Sequence, residues 1–308
     1  MGKYNINCSP DINNPKMSWA FGFTAADGSL VKTNRTRDPN IISYTLNAKD
    51  ADVLYKIKHI FQLDHPVKFY TNNQGKDTVY LRFTDNRYEH LLFSKDQLNI
   101  KNAFPQSFIN NNTRHYLRGL IDGDGCLHHR KRGGFMIVFI NENEEIVKNF
   151  SYCVAKYLGL SFKIPKLVEK DHIWRIQYES RSARILAWWL YHGEIDEMSL
   201  QRKRDSYQSM VNPLNNNLDQ FFDAFFGKEL RYIPKRKNNG LIVPIPMNNH
   251  ANSLNICKGI QNVCSAYNVK SIPLPVNKGN VKYYIPYFPK EYVSSIKMLR
   301  PFKYLLEG

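Results

Sequence analysis

The stretch Leu117–Leu127, "LRGLIDGDGCL", decides how the chain is read. Its apolar opening has the spacing of a helix, and it closes on Asp122 and Asp124, set between glycines. The C-terminal end of a helix carries partial negative charge, so a carboxylate there costs ~0.3–1 kcal/mol at an exposed site. One Asp-Gly turn after a helix is commonplace and carries almost no weight. Its recurrence does carry weight. The earlier stretch Trp19–Leu30, "WAFGFTAADGSL", sets Gly22, Asp27 and Gly28 where the later one has Gly119, Asp124 and Gly125. The two aspartates stand roughly 100 residues apart, the size of a small αβ unit.

The segments downstream of the two stretches also match. In the first copy, residues 29–38 and 40–48 read as paired strands. Residues 49–63 read as an amphipathic helix with Val53, Leu54, Ile57, Ile60 and Phe61 on one face. Residues 67–84 read as a hairpin turning at Gly75, and 85–94 as a second helix. In the second copy the hairpin 126–141 turns at Gly133–Gly134, the helix 142–160 is closed by Gly159, and a hairpin over 162–179 leads to a helix over 180–192. The expected fold is α+β: two pseudo-symmetric α-β-β-α-β-β-α halves, residues 1–110 and 111–211, with antiparallel sheets. Residues 212–308 form a basic αβ extension, again in the order β-α-β-β-α, which reads as a degenerate third copy. Phe225 and Phe226 stand in its lead helix where the others carry glycine, so no third active site is expected.

The chain has 308 residues and a formal net charge of +16, a balance that points to a polyanionic partner, nucleic acid first. Five cysteines at irregular spacing give no disulfide framework and point to a reducing compartment. His250, Cys257 and Cys264 fit no usual zinc spacing. No apolar run reaches the ~18–20 residues of a membrane span. No membrane partner and no secretion are expected. The site of action is the cytoplasm or nucleoid, or an organelle matrix if the chain is organelle-encoded.

Gly22 and Gly119 sit mid-helix, where glycine costs about 1 kcal/mol relative to alanine. Close approach of two backbones repays that. Helices paired through these glycines about a pseudo-twofold axis bring their C-terminal ends together, and Asp27 and Asp124 with them. Two carboxylates beside two helix C-termini call for a hard divalent cation. Mg²⁺ commonly takes one or two carboxylates plus substrate phosphate. Asp122 faces Ala25 in the other copy and reads as a structural residue.

At these residues the sequence resembles the LAGLIDADG homing endonucleases. "LRGLIDGDG" (Leu117–Gly125) departs from the family motif at Arg118 and Gly123, and "AFGFTAADG" (Ala20–Gly28) is a looser match. The resemblance covers about residues 15–210. It implies a monomeric, single-chain, two-motif enzyme whose sheets form a saddle over duplex DNA. It makes site-specific hydrolysis of both strands, with a staggered break, the expected reaction. It places Mg²⁺ (or Mn²⁺) at Asp27 and Asp124, with Ala26 and Gly123 beside them, and assigns catalytic lysines to Lys101 and Lys203. It also implies a water-positioning polar residue after the second strand of each half. Asn47 or Ala48, and Asn141 or Glu142, occupy that region, and Asn47 and Glu142 are ranked first. Strand residues expected to contact DNA are Lys32, Arg35, Arg37, Lys68, Lys76 and Arg82 in the first half. In the second half they are Arg130, Lys131, Arg132, Lys163, Lys166 and Arg175. The same scaffold could serve an intron RNA maturase or a non-cleaving DNA-binding regulator, and the latter would not need Asp27 and Asp124.

Overall fold

The structure is a computed structural model of the chain. It describes residues 9–11, 13–31, 41–84, 112–129, 135–192, 196–209, 219, 221–222, 234–243, 253–265, 267–278, 281–296, 299 and 306. Helix α1 spans Pro15–Asp27. Asn14 caps it, its side chain accepting from the backbone N–H groups of Lys16 (2.9 Å) and Met17 (3.3 Å), and Pro15 supplies a pre-set first turn. Every residue from Met17 to Ala26 is buried. A helix apolar on all sides is a core helix, walled in by neighbours on every face.

The first half continues through β1 (Gly28–Val31), β2 (Ile41–Asn47), α2 (Ala51–Ile60), β3 (Lys68–Thr71) and β4 (Asp77–Phe83). Its antiparallel sheet runs in the order β1-β2-β4-β3. The second half repeats the plan with α3 (Thr113–Asp124), β5 (Gly125–His129), β6 (Phe135–Asn141), α4 (Glu144–Leu158), β7 (Lys166–Val168) and β8 (Ile173–Glu179). Its sheet has the equivalent order β5-β6-β8-β7. Then come α5 (Ser180–Tyr191) and α6 (Gln201–Gln208). Asn143 caps α4, and Gly159 ends it in the left-handed conformation at φ 67°, where a glycine is cheap.

In each sheet one face packs on the helices. Val79, Leu81 and Phe83 of β4, and Ile176 and Tyr178 of β8, point into the core. Alternation sends Tyr80 and Arg82, and Arg175 and Gln177, to the opposite face. On that face Lys68 stands opposite Tyr80, and Lys166 opposite Arg175. The expected helix over 85–94 lies outside the described residues.

Beyond the two halves, β9 (Lys235–Arg236), β10 (Gly240–Ile242), α7 (Ser253–Ser265), β11 (Ile272–Lys278), β12 (Val281–Pro289) and α8 (Lys290–Val293) build a third four-stranded sheet. Its order, β9-β10-β12-β11, is again first-second-fourth-third. Its docking differs from that of the first two units. Helix α7 lies on α4, and a methyl group on Gly259 would sit 2.5 Å from the Leu158 carbonyl. Phe225 and Phe226 lie outside the described residues. Cys257 and Cys264 are buried on α7, as apolar residues would be. No described helix is long and apolar enough to cross a membrane.

Candidate active site

Helices α1 and α3 pack backbone to backbone. A Cβ on Gly22 would lie 2.0 Å from the Tyr116 carbonyl oxygen, and one on Gly119 would lie 2.1 Å from the Trp19 carbonyl oxygen. These are reciprocal contacts, as a pseudo-twofold axis between the helices requires. The crossing holds both C-terminal ends together. Gly123 is part of it: a methyl there would fall 2.4 Å from the Ala26 Cβ and 3.1 Å from an Asp27 carboxylate oxygen. Asp27 therefore stands against the residue that precedes Asp124, and both carboxylates are partly exposed.

Asn141 adds a fixed contact. Its Nδ2 donates to Asp124 Oδ2 at 2.7 Å, while its Oδ1 accepts from the Asn143 backbone N–H at 2.9 Å. The second bond dictates which end of the carboxamide faces the aspartate. Of the two residues named for this strand end, Asn141 reaches Asp124, whereas Glu142 is solvent-exposed. The sequence left this open because a one-residue shift at a strand end swaps the faces. Asn47 is exposed too, and its side chain accepts from the Lys49 N–H to cap a short 3-10 turn. The register makes Leu46 the counterpart of Asn141, because Gly28 pairs with Tyr44 as Gly125 pairs with Phe139.

Lys203, on α6, is 3% exposed, and its Nζ donates to the carbonyl oxygens of Ile121 (3.2 Å) and Gly125. Its positive charge thus sits at the C-terminal end of α3, where the dipole favours it. Burial, with Arg202 nearby, draws its pKa down, while Asp122, Cys126 and Asp27 pull it back up. The ammonium helps hold the end of α3 on which Asp124 sits. Lys101 lies outside the described residues.

Asp122 is not at the surface with its neighbour. It is fully buried and accepts from Trp19 Nε1 (2.8 Å), Tyr191 OH (2.6 Å) and the Leu200 N–H (3.1 Å). Burial pushes its pKa up, and the hydrogen bonds from Tyr191 and Trp19 and the charges of Arg118 and Lys203 oppose that. Arg118 is buried beside it and donates to the carbonyls of Met198 (2.6 Å) and Leu190 (2.7 Å). The pair ties α1 of one half to α3, α5 and the start of α6 in the other. The structural part expected of Asp122 is the one it takes; Arg118 had no signal beyond its departure from the family motif.

Two carboxylates at two adjoining helix ends suit a hard cation that completes its shell with water and phosphate oxygens. No cluster of three or more His, Cys, Asp or Glu occurs among the described residues. Ala26 and Gly123 flank the aspartate pair at the crossing. Of the residues expected to contact DNA, Lys68, Lys76, Arg82, Lys163 and Lys166 are exposed and Arg175 is half-buried. Lys32, Arg35, Arg37, Arg130, Lys131 and Arg132 lie outside the described residues.

Residues 111–192 match the family model described as LAGLIDADG-like domain. The match contains α3, Asp124 and Asn141, and the first half repeats its sheet order and, from the lead helix through the fourth strand, its element order. No curated protein sequence matches the chain. Among solved structures, the chain is similar to the I-LtrWI LAGLIDADG homing endonuclease bound to target DNA (14% identity, 71% of this chain and 92% of that one, TM-score 0.39). It is similar also to the meganuclease I-SmaMI bound to uncleaveable DNA (15%, 73% and 99%, TM-score 0.42). A third is full-length DUF199/WhiA from Thermatoga maritima (14%, 67% and 62%, TM-score 0.40).

Proposed function

We propose that the protein is a site-specific endonuclease that hydrolyses both strands of duplex DNA with Mg²⁺ or Mn²⁺, leaving a staggered break. The observation that carries this is the paired placement of Asp27 and Asp124 at the adjoining ends of two helices packed glycine on glycine. A DNA-binding scaffold has no physical need for two carboxylates there, where phosphates would be repelled.

Each strand is cut by adding water across one phosphodiester. The water oxygen bonds to phosphorus, the bond from phosphorus to the leaving sugar oxygen breaks, and that oxygen takes up a proton. Divalent metal bound at the aspartates supplies charge neutralisation and a more acidic water. Asp27 and Asp124 hold the metal, Asn141 orients Asp124, and Lys203 fixes the end of α3. The sheet faces opposite the core meet the duplex. Arg82 lies 5.0 Å over the Tyr80 ring, presenting a guanidinium from a rigid strand, and Lys68, Lys166 and Arg175 share the corresponding faces. A sheet surface of this kind suits a major groove, with hairpin residues such as Lys76 on phosphates.

The test is cleavage of a randomised supercoiled plasmid library, with Mg²⁺ and then with EDTA, by the wild type and Asp124→Asn. Metal-dependent linear product that disappears in the variant supports the reading. Tight duplex binding without a cut would replace it with a DNA-binding regulator. Tight binding to a structured intron RNA without a cut would replace it with a maturase.

A further inference from the structure

We infer that Arg175, Gln177 and Glu179 form a pre-ordered reading row, which selects guanine, adenine and cytosine, in that order outward from the cut, in one half of the DNA target. This rests on the duplex-binding part of the reading above and names bases that the site takes.

The three residues alternate with the buried Ile176 and Tyr178 along β8, so their side chains share the face opposite the core. The register orders them. Asn141, which bonds Asp124, pairs with Trp174 beside Arg175, whereas Glu179 pairs with Met136, itself paired with His128 toward the far end of β5. The side chains are joined in series. Arg175 Nη2 donates to Gln177 Oε1 at 2.7 Å, and Gln177 Nε2 donates to Glu179 Oε1. The two bonds settle which end of the carboxamide faces each neighbour. They also leave each residue the capacity that its base requires. Arg175 keeps most of its fork of donors for the O6 and N7 acceptors of guanine. Gln177 keeps an N–H and a lone pair, which match N7 and the N6 amine of adenine. Glu179 keeps its second oxygen, an acceptor for the N4 amine of cytosine.

Glu179 is the telling member. Phosphate repels a carboxylate, so on a surface that meets DNA it gains nothing from the backbone, and among base edges it suits an exocyclic amine. Lys163 and Lys166, both exposed, line the same groove as the row and are placed to take the phosphates beside it. Residues two apart on a strand stand ~6.8 Å apart, which matches two base-pair steps of ~3.4 Å. By register, Tyr80, Arg82 and Thr84 hold the same three places in the first half. The row is not repeated there, so the two halves of the target differ.

The test is selection of bound duplexes from a randomised pool by the wild type in EDTA, where no metal-dependent cut removes them, followed by sequencing. One half of the enriched site should carry guanine, adenine and cytosine in that order outward from its centre, in steps of about two base pairs, each favoured about 5–150-fold over the other bases. Glu179→Gln should turn the outermost preference from cytosine to adenine, and Arg175→Gln should turn the innermost from guanine to adenine. Either glutamine can keep its bond to Gln177, so the middle position should stay adenine; Gln177→Ala should erase that preference. None of the three side chains is in the core, so the variants should melt with the wild type. A purely structural part for the row would weaken binding to every sequence alike and leave the enriched site unchanged, and that result would overturn the inference. So would an enriched site with neither half carrying the three bases, or a Glu179→Gln protein that still selects cytosine. A site selected as stated but never cut when Mg²⁺ is added overturns the endonuclease and leaves the reading row standing. Enrichment of no duplex at all overturns both.

Discussion

Replacing Gly119 by alanine tests the helix crossing on which the site depends. The added Cβ would sit 2.1 Å from the Trp19 carbonyl oxygen and 2.5 Å from the Phe23 nitrogen. Both are backbone atoms of a buried helix, with no rotamer to turn aside. A carbon and an oxygen rest at about 3.3–3.6 Å at their closest favourable contact, so α1 and α3 must part by more than about 1 Å. Overpacking of this kind costs about 1–3 kcal/mol and sometimes more. Alanine recovers about 1 kcal/mol through its helix preference. With backbone on both sides the upper end applies, for a net loss near 2 kcal/mol and a fall in Tm of about 4–8 °C. Activity should suffer more, because a displacement of ~1 Å at the aspartates costs on the order of 100-fold in rate. Gly22→Ala should behave alike, since its Cβ would meet the Tyr116 carbonyl oxygen and Gly119 itself. Once one substitution has parted the helices, the second has less to disrupt, so the double variant should lose less than the sum of the two. Calorimetric melts and cleavage rates of the three variants decide the matter. A Gly119→Ala protein as stable as the wild type, with aspartates still active, would refute the close crossing.

Asp122 and Asp124 should part company under mutation. Asp122→Ala strands the Trp19, Tyr191 and Leu200 donors and leaves Arg118 buried without its acid, for a loss of about 3–5 kcal/mol; Asp124→Asn should abolish cleavage with little change in Tm, and equal melting of the two would be the contrary result. Acid should loosen the protein through its buried histidines. Burial, with Arg118, Arg114 and His192 nearby, pushes His115 down to about 2, and burial with Arg114 pushes His192 down to about 3, against 6.5 in the unfolded chain. The unfolded state therefore binds more protons below pH 6.5, and stability present at pH 7.5 is lost as the pH falls. With partial exposure discounted, this amounts to roughly 1–2 kcal/mol per histidine by pH 5. Melts should show a fall that shrinks in His192→Phe; a flat profile from pH 7.5 to 5 would count against it. DNA affinity should fall with salt at a log–log slope near −7 if about eight phosphates are neutralised, and each of Lys68→Ala and Lys166→Ala should flatten the slope by about 0.9 if it meets a phosphate.

The doubled plan was legible because the signals were local. Amphipathic spacing fixed α2 and α4, Gly75 and Gly159 marked a turn and a helix end, and Gly22 with Gly119 announced a close crossing that the contacts at Tyr116 and Trp19 bear out. What escaped depended on register and on long-range partners. Asn141 and Glu142 differ by one position, and only the pairing of Gly125 with Phe139 decides which of them turns toward Asp124. In the first half the position equivalent to Asn141 falls on Leu46, one residue before Asn47. Lys203 was named from the family resemblance, and its burial against the Ile121 and Gly125 carbonyls has no mark in the sequence.

The two aspartates of "LIDGDG" illustrate why adjacent residues of one type can take opposite parts. They are separated by one residue near the end of a helix, so ~200° of rotation divides them. One of them must then face the crossing and the other the open end. Asp122 faces three donors, from Trp19, Tyr191 and Leu200, and a buried arginine, and it stabilises the join of the halves only while all those partners stay in place. Asp124 has the end of the helix and is partly open to solvent, where a carboxylate is useful only with a positive partner. The first half carries Ala25 and Asp27 at the same positions. A strictly symmetric pair of buried acids would place a second anion in the same apolar crossing, and the second half supplies one arginine there, Arg118. The lock can be built once, from one side, while the outer acids are wanted twice. The asymmetry of the crossing therefore stems from the cost of burying charge.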